Sequence, residues 1–183
     1  MRLFTAIDLP PDIRAHLDSL IGQLRPHARI SWSRAANLHI TTKFIGEWPE
    51  AQLPELRTAL DGVPRREPIS IRIHGPRLFP SRRSPRVFLA SVEAPGLPAL
   101  ARDLDLALEK LDVEPERRAY SPHLTLARIK EVKGLASFYK KVEELGDPEF
   151  GSYLADRFIL YQSKPGAAGS VYTKLSEFPI STQ

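Results

Sequence analysis

A ten-residue stretch occurs twice in this chain, and the distance between its copies constrains how everything else can fold. The first copy is Asn37-Leu38-His39-Ile40-Thr41-Thr42-Lys43-Phe44-Ile45-Gly46, and the second is Ser121-Pro122-His123-Leu124-Thr125-Leu126-Ala127-Arg128-Ile129-Lys130. Each reads as a β-strand that carries His-x-Thr among apolar residues. The two histidines lie 84 residues apart. The same offset carries Arg2 onto Arg86, Phe4 onto Phe88, Ala6 onto Ala90 and Pro11 onto Pro95. It also carries Ile13, Leu20 and Leu24 onto Leu97, Leu104 and Leu108, and Thr41 and Ile45 onto Thr125 and Ile129. No gap is needed from residue 2 to residue 46. Apolar positions agree easily by chance, but Arg, Phe, Pro, His and Thr in one register do not. The chain therefore reads as a duplication. The expectation is a single bilobal domain over 1–183, built from repeats of approximately 1–84 and 85–183.

The elements between the copies follow from periodicity. Arg2 to Leu9 alternates as a strand, and Pro10-Pro11-Asp12 stops it and opens a helix. Ile13, Leu17, Leu20, Ile21 and Leu24 keep helical spacing until Pro26. Leu53 to Leu60 predicts a second helix. Ile69, Ile71 and Ile73 alternate with polar residues as a half-buried strand. Pro76 to Pro85 reads as a Pro- and Arg-rich loop. Arg86 to Val92 predicts another strand, Pro95 to Leu111 an amphipathic helix, and Leu135 to Leu145 a further helix. Asp156 to Tyr161 and Ser170 to Phe178 read as closing strands. The order β-α-β-α-β thus appears once before about residue 75 and again after residue 85.

A chain of 183 residues can bury one good core or two fused lobes, and 42% hydrophobic with 26% charged residues is a globular balance. No apolar run approaches the ~18–20 residues of a membrane helix. Met1-Arg2-Leu3-Phe4 meets Asp8, Pro10 and Pro11 at once, leaving no signal-peptide core. These points predict a cytoplasmic protein without a membrane. There are no cysteines, which excludes disulfides, thiolate metal sites and a Cys nucleophile. The net charge of +4 and pI near 9.5 are compatible with a phosphate-bearing partner and equally with a merely basic surface.

On a strand, residues two apart share a face. His39 and Thr41 therefore point one way, and Leu38 and Ile40 the other. His123 and Thr125 face together, opposite Leu124 and Leu126. If two repeats pack about a pseudo-twofold axis, the His-Thr faces meet across a cleft. Two imidazoles that titrate near pH ~6.5 can hold one proton between them, the requirement for paired general acid–base catalysis. Thr hydroxyls can donate to phosphate oxygens without adding charge. A lone His-x-Thr on a strand is most often structural, and it is the shared register that favours function. Two histidines alone do not make a metal site: a third ligand is needed, and neither motif contains Asp or Glu. No metal is expected. His16, His27 and His74 lack such company and read as surface or satisfied residues.

At these residues the chain resembles the 2H phosphoesterase superfamily, named for its two His-x-Thr motifs. It is most similar to the RNA 2′,3′-cyclic phosphodiesterases, also called 2′-5′ RNA ligases. The resemblance spans nearly the whole chain: Arg2-Leu3-Phe4-Thr5-Ala6-Ile7-Asp8-Leu9-Pro10, the first motif, Phe79-Pro80, Pro85-Arg86-Val87, and the second motif. Thr42 departs from the family's usual Leu and should lie on the core face. The resemblance implies a bilobal α+β fold, with two antiparallel sheets facing across a central cleft and helices on the outside. It implies hydrolysis of an RNA 2′,3′-cyclic phosphate end to a 2′-phosphate without cofactor or metal, with 2′-5′ ligation as the reverse. By that analogy His39 is the general acid, His123 the general base, and Thr41 and Thr125 bind phosphate. Arg128 would be a further phosphate contact, although strict alternation puts it opposite His123 unless the strand bulges. Phe44, its counterpart under the offset, would contact the nucleotide, against the simpler reading of a core aromatic. The Arg77–Arg86 segment is either an RNA-tracking or a merely solvated basic loop. Two alternatives stay open: a non-catalytic RNA-end-binding protein, and a 2H enzyme for a small cyclic nucleotide. A monomer is the default.

Overall fold

The computed structural model describes residues 1–182. Among these described residues nine strands form two antiparallel sheets, and four α-helices pack on their backs. The four-stranded sheet has the order β3 (Ile40–Glu47), β1 (Arg2–Ile7), β8 (Arg157–Lys164), β9 (Val171–Pro179). The five-stranded sheet has the order β2 (Ser31–Trp32), β6 (His123–Arg128), β5 (Val87–Glu93), β4 (Ile69–Phe79), β7 (Glu149–Ala155). In each sheet the His-x-Thr strand pairs with the strand that opens its half, β1 or β5. That strand in turn pairs with one from the other half, β8 or β4. Each sheet thus draws on both sides of residue 84, so its strands do not follow the sequence halves.

The helices form where apolar residues recur at helical spacing. Helix α1 (Pro11–Leu24) starts on a proline whose missing N–H costs nothing there, and it buries Ile13, Leu17, Leu20, Ile21 and Leu24. Helix α3 (Leu97–Glu109) buries Leu97, Leu100, Leu104 and Leu108. Helix α2 (Leu53–Asp61) packs on α3 and β9, α3 on β3, and α1 on β7 and α4 (Ala136–Leu145). The contact of α1 with β7 requires Gly151, whose φ is +136° and whose place a Cβ would share with Ile13 Cγ1 at 2.8 Å. Behind the five-stranded sheet, Trp32, Phe88 and Phe138 meet edge to face, with centroids 5.1–6.1 Å apart.

Two features depart from the periodicity reading. Strand β7 is not expected from sequence, because Gly151 interrupts its alternation. The segment read as a loop from Pro76 is instead the continuation of β4 through Phe79. Strand β7 stops pairing at His74, so β4 is an edge strand beyond Gly75, where a proline is tolerated.

Candidate active site

Strands β3 and β6, one from each sheet, pack against each other, and His39 and His123 are near enough for the charge of one to act on the other. Both imidazoles are held in the same way. His39 Nδ1–H donates to the carbonyl of Asn37 at 2.6 Å, and His123 Nδ1–H to that of Ser121 at 3.0 Å. A carbonyl can only accept, so each Nδ1 carries the proton and each Nε2 is left for chemistry. In the first motif Nε2 lies 3.0 Å from Thr41 Oγ1. The neutral ring has a lone pair there, so the Thr41 hydroxyl donates. His39 lies just before β3, which begins at Ile40, yet this bond shows that it and Thr41 share a face.

A β-bulge sits at the same place in both strands. Ala6 pairs with Thr41 and Thr5 with Lys43, so Thr42 is the extra residue. Leu89 pairs with Thr125 and Phe88 with Ala127, so Leu126 is the extra residue. Positions 42 and 126 are related by the 84-residue offset. A bulge reverses the parity of the residues after it. Lys43 and Ala127 turn into the core, and Phe44 and Arg128 come round to the side of the histidines. Phe44 pairs with Phe4, whose ring lies 4.9 Å from His39 and 6.2 Å from Phe44. Phe44 is 63% exposed, so it is not a core aromatic. Arg128 is exposed and pairs with Val87, on the same face as Leu89 and Thr125.

The buried side of the first bulge is polar, and its groups are satisfied. Thr42 Oγ1 and Thr5 Oγ1 hydrogen-bond at 2.7 Å, which accommodates the Thr where the family usually has Leu. Lys43 Nζ donates to the Glu114 carbonyl at 2.7 Å and lies 2.6 Å from Asp105 Oδ1 of α3. A buried lysine requires such partners.

The surroundings of the two histidines differ. His39 is packed among Phe4, Tyr172 and Tyr161, at centroid distances of 4.9, 5.2 and 6.5 Å. Burial lowers its pKa below the ordinary imidazole value. The Asn37 carbonyl and the charge of Asp8 work the other way, while Arg14 and His123 add to the lowering. Tyr161 donates to Asp8, which also lies 3.2 Å from Lys174 Nζ. His123 is exposed. Each motif is braced by a residue from the other half of the sequence: Ser33 Oγ, just after β2, donates to the Thr125 carbonyl at 3.0 Å, and Tyr120 Oη to the Thr41 carbonyl at 2.8 Å. Burial raises the Tyr120 pKa far above the usual phenol range, so it remains a donor.

Periodicity brought out neither the braces nor the aromatic wall. Tyr161 and Tyr172 lie more than a hundred residues from His39 in sequence, and only the insertion of β8 and β9 into the first sheet brings them there. The other histidines are partnered: His16 with the Phe150 carbonyl, His27 with Ser137, and His74 between Glu93 and Asp147. Among the described residues no three His, Asp or Glu side chains are grouped to hold a metal ion. None of the described helices is long and apolar enough to cross a membrane.

Comparison with known proteins converges on one group. The profile of the family described as LigT like Phosphoesterase matches twice, over residues 7–89 and 90–172. The RNA 2′,3′-cyclic phosphodiesterase of Methanothermobacter thermautotrophicus is 33% identical, over 98% of this chain and 99% of its own. That of Thermus thermophilus is 32% identical, over 98% and 90%. Among solved structures, TT0787 of Thermus thermophilus superposes with a TM-score of 0.82 at 31% identity, covering 98% of both chains. E. coli LigT complexed with 3′-AMP gives 0.80 at 26% identity, covering 99% of this chain and 98% of its own.

Proposed function

The chain belongs to the LigT-like phosphoesterase family, and on that premise we propose that it hydrolyses RNA 2′,3′-cyclic phosphate ends to 2′-phosphates by proton transfer between His39 and His123. The observation that carries this reading is the matched pair of imidazoles, each with Nδ1–H tied to the carbonyl two residues before it, which leaves each Nε2 without a backbone partner. The two profile matches, whose starts lie 83 residues apart, support reading the site as the join of two repeats.

In the proposed reaction His123 Nε2 takes a proton from water as the water oxygen attacks phosphorus. The bond from phosphorus to the 3′ oxygen breaks, and His39 Nε2–H delivers a proton to that oxygen. The exposure of His123 suits the base, because water reaches it from solvent. The aromatic wall around His39 suits the acid, because it shields the leaving oxygen and offers rings to the ribose and base. Burial keeps His39 neutral in the empty site. The anionic phosphate supplies the charge that stabilises its protonated form, so substrate and proton arrive together. Thr41 exchanges its hydrogen bond to His39 for one to a phosphate oxygen, and Thr125 and Arg128 hold the others. Phe44 offers an exposed ring to the terminal base. No step requires a metal. With a 5′-hydroxyl in place of water as the nucleophile, the same attack on phosphorus and departure of the 3′ oxygen form a 2′-5′ linkage, and the reverse reaction cleaves one.

The test is turnover of an oligoribonucleotide ending in a 2′,3′-cyclic phosphate, with EDTA present. Wild type should yield the 2′-phosphate. Release of a 3′-phosphate instead, or full turnover by His39→Ala or His123→Ala, would refute the two-histidine scheme.

A further inference from the structure

Strand pairing sets rows of side chains across the five-stranded sheet, on the face that carries His123. One row runs Thr125–Leu89–Arg77 and the next Arg128–Val87–Phe79. With strands ~4.8 Å apart, each row reaches about 10 Å from β6 to β4. The two rows form a strip that starts at the phosphate-binding residues of β6 and ends at Arg77 and Phe79. Its middle is apolar, with Val87 and Leu89. Its far end presents an aromatic ring that is 51% exposed. Among the described residues neither Arg77 nor Arg128 has a carboxylate within 4.0 Å, although neighbouring arginines do. Arg72, on the same face, is held between Glu93 and Glu149, and Arg82 lies 3.3 Å from Glu143.

The next rows differ in charge. The His123 row continues through Ser91 to His74, which sits between Glu93 and Asp147, and to Glu149. This side of the strip is bounded by carboxylates and is poor ground for a polyanion. The uncompensated guanidinium and exposed ring at the far end of the strip are the complement of a phosphate followed by a base. The first nucleotide meets Phe44 and the aromatic wall on the opposite sheet, so the strip is free for the nucleotide that precedes it in the strand.

We propose that Arg77 and Phe79 form a second nucleotide subsite, which holds the penultimate phosphate and base of a single-stranded RNA whose cyclic end lies between the histidines. This rests on the hydrolase reading above and adds to it a preference for oligonucleotides over free cyclic nucleotides. The loop beyond β4 is not part of the subsite: Arg82 is ion-paired, and Arg86 precedes β5 opposite the buried Ile129. Contacts to phosphate and base should add affinity without touching the reacting atoms, and the phosphate part should weaken with salt.

The experiment measures kcat and KM for wild type, Arg77→Glu and Phe79→Ala. The substrates are a nucleoside 2′,3′-cyclic phosphate and a short single-stranded RNA ending in the same group, each at low and high salt. Wild type should prefer the RNA. Each variant should raise KM for the RNA about tenfold and leave the mononucleotide unchanged, and the Arg77→Glu effect should shrink at high salt. Equal loss on both substrates, or no loss on either, would overturn the subsite. Wild type inactive on both would instead overturn the hydrolase reading. Anisotropy of a labelled RNA then still tests the strip: weaker binding to Arg77→Glu supports it, and unchanged binding refutes it.

Discussion

His39 and His123 occupy the same backbone position, each with its Nδ1–H on the carbonyl two residues earlier. The sheets around them are furnished differently. The four-stranded sheet surrounds His39 with Phe4, Tyr161 and Tyr172, whereas the five-stranded sheet leaves His123 exposed and sets Arg128 beyond it. A duplicated backbone delivers two equivalent bases. Unequal surroundings set the two apart, because burial among aromatic rings penalises the charged form of His39. The bulges show the same division. Both reverse parity at the same step, but one turns out an aromatic ring and the other a guanidinium.

The most drastic way to break this pairing is to remove either imidazole. His39→Ala and His123→Ala should each lower kcat by ~10²–10⁴-fold, measured on a cyclic-ended RNA. If one substitution were harmless, the two copies would not form one site.

The residues that the bulges turn toward the histidines test the next level. Hydrogen bonds to charged groups are worth ~1.5–3 kcal/mol. Arg128→Ala should therefore lower kcat/KM by about 10–100-fold. Phe44→Ala should act mainly through KM, since a base stacked on a ring contributes ~1–3 kcal/mol. Equal effects on kcat from both would mean that the bulges do not divide phosphate from base.

The reciprocal braces should matter less. Tyr120→Phe and Ser33→Ala each delete one hydrogen bond, worth about 0.5–1.5 kcal/mol of stability by thermal unfolding. Tyr120→Phe should mainly disturb the His39 side and Ser33→Ala the His123 side. Separate NMR titrations of the two imidazoles would read this.

The smallest expected effect is in the pH dependence of folding. The folded-state pKa of His39 lies below its unfolded value, so the unfolded chain binds the extra proton first. Above the unfolded value near ~6.5 this residue costs nothing. As pH falls through that value toward the folded one, stability should decline, and His39→Gln should remove that part of the decline in denaturant unfolding. The same decline in the variant would assign it to other groups.

Most of the candidate site's pairing was legible along the chain, because strand parity and a constant offset are properties of local sequence. They placed His39, Thr41, His123 and Thr125 on shared faces and put Thr42 on the core side. Phe44 and Arg128 could be named as counterparts, but not turned toward the site. A bulge depends on how a strand pairs with its neighbour, and no spacing in one strand records it. The strand past Pro76 was hidden for a related reason: proline is acceptable there only because β7 has already left that edge. The aromatic wall and the two braces were invisible in sequence. They join segments 79 to more than 100 residues apart, which meet only once the two sheets are assembled from both halves of the chain. The sequence alone determined that His-x-Thr comes in a pair and that His and Thr share a face in each copy, since these follow from residue type and period. Only the tertiary structure decided which histidine is buried and which exposed, because desolvation depends on what the other half of the chain brings to each sheet.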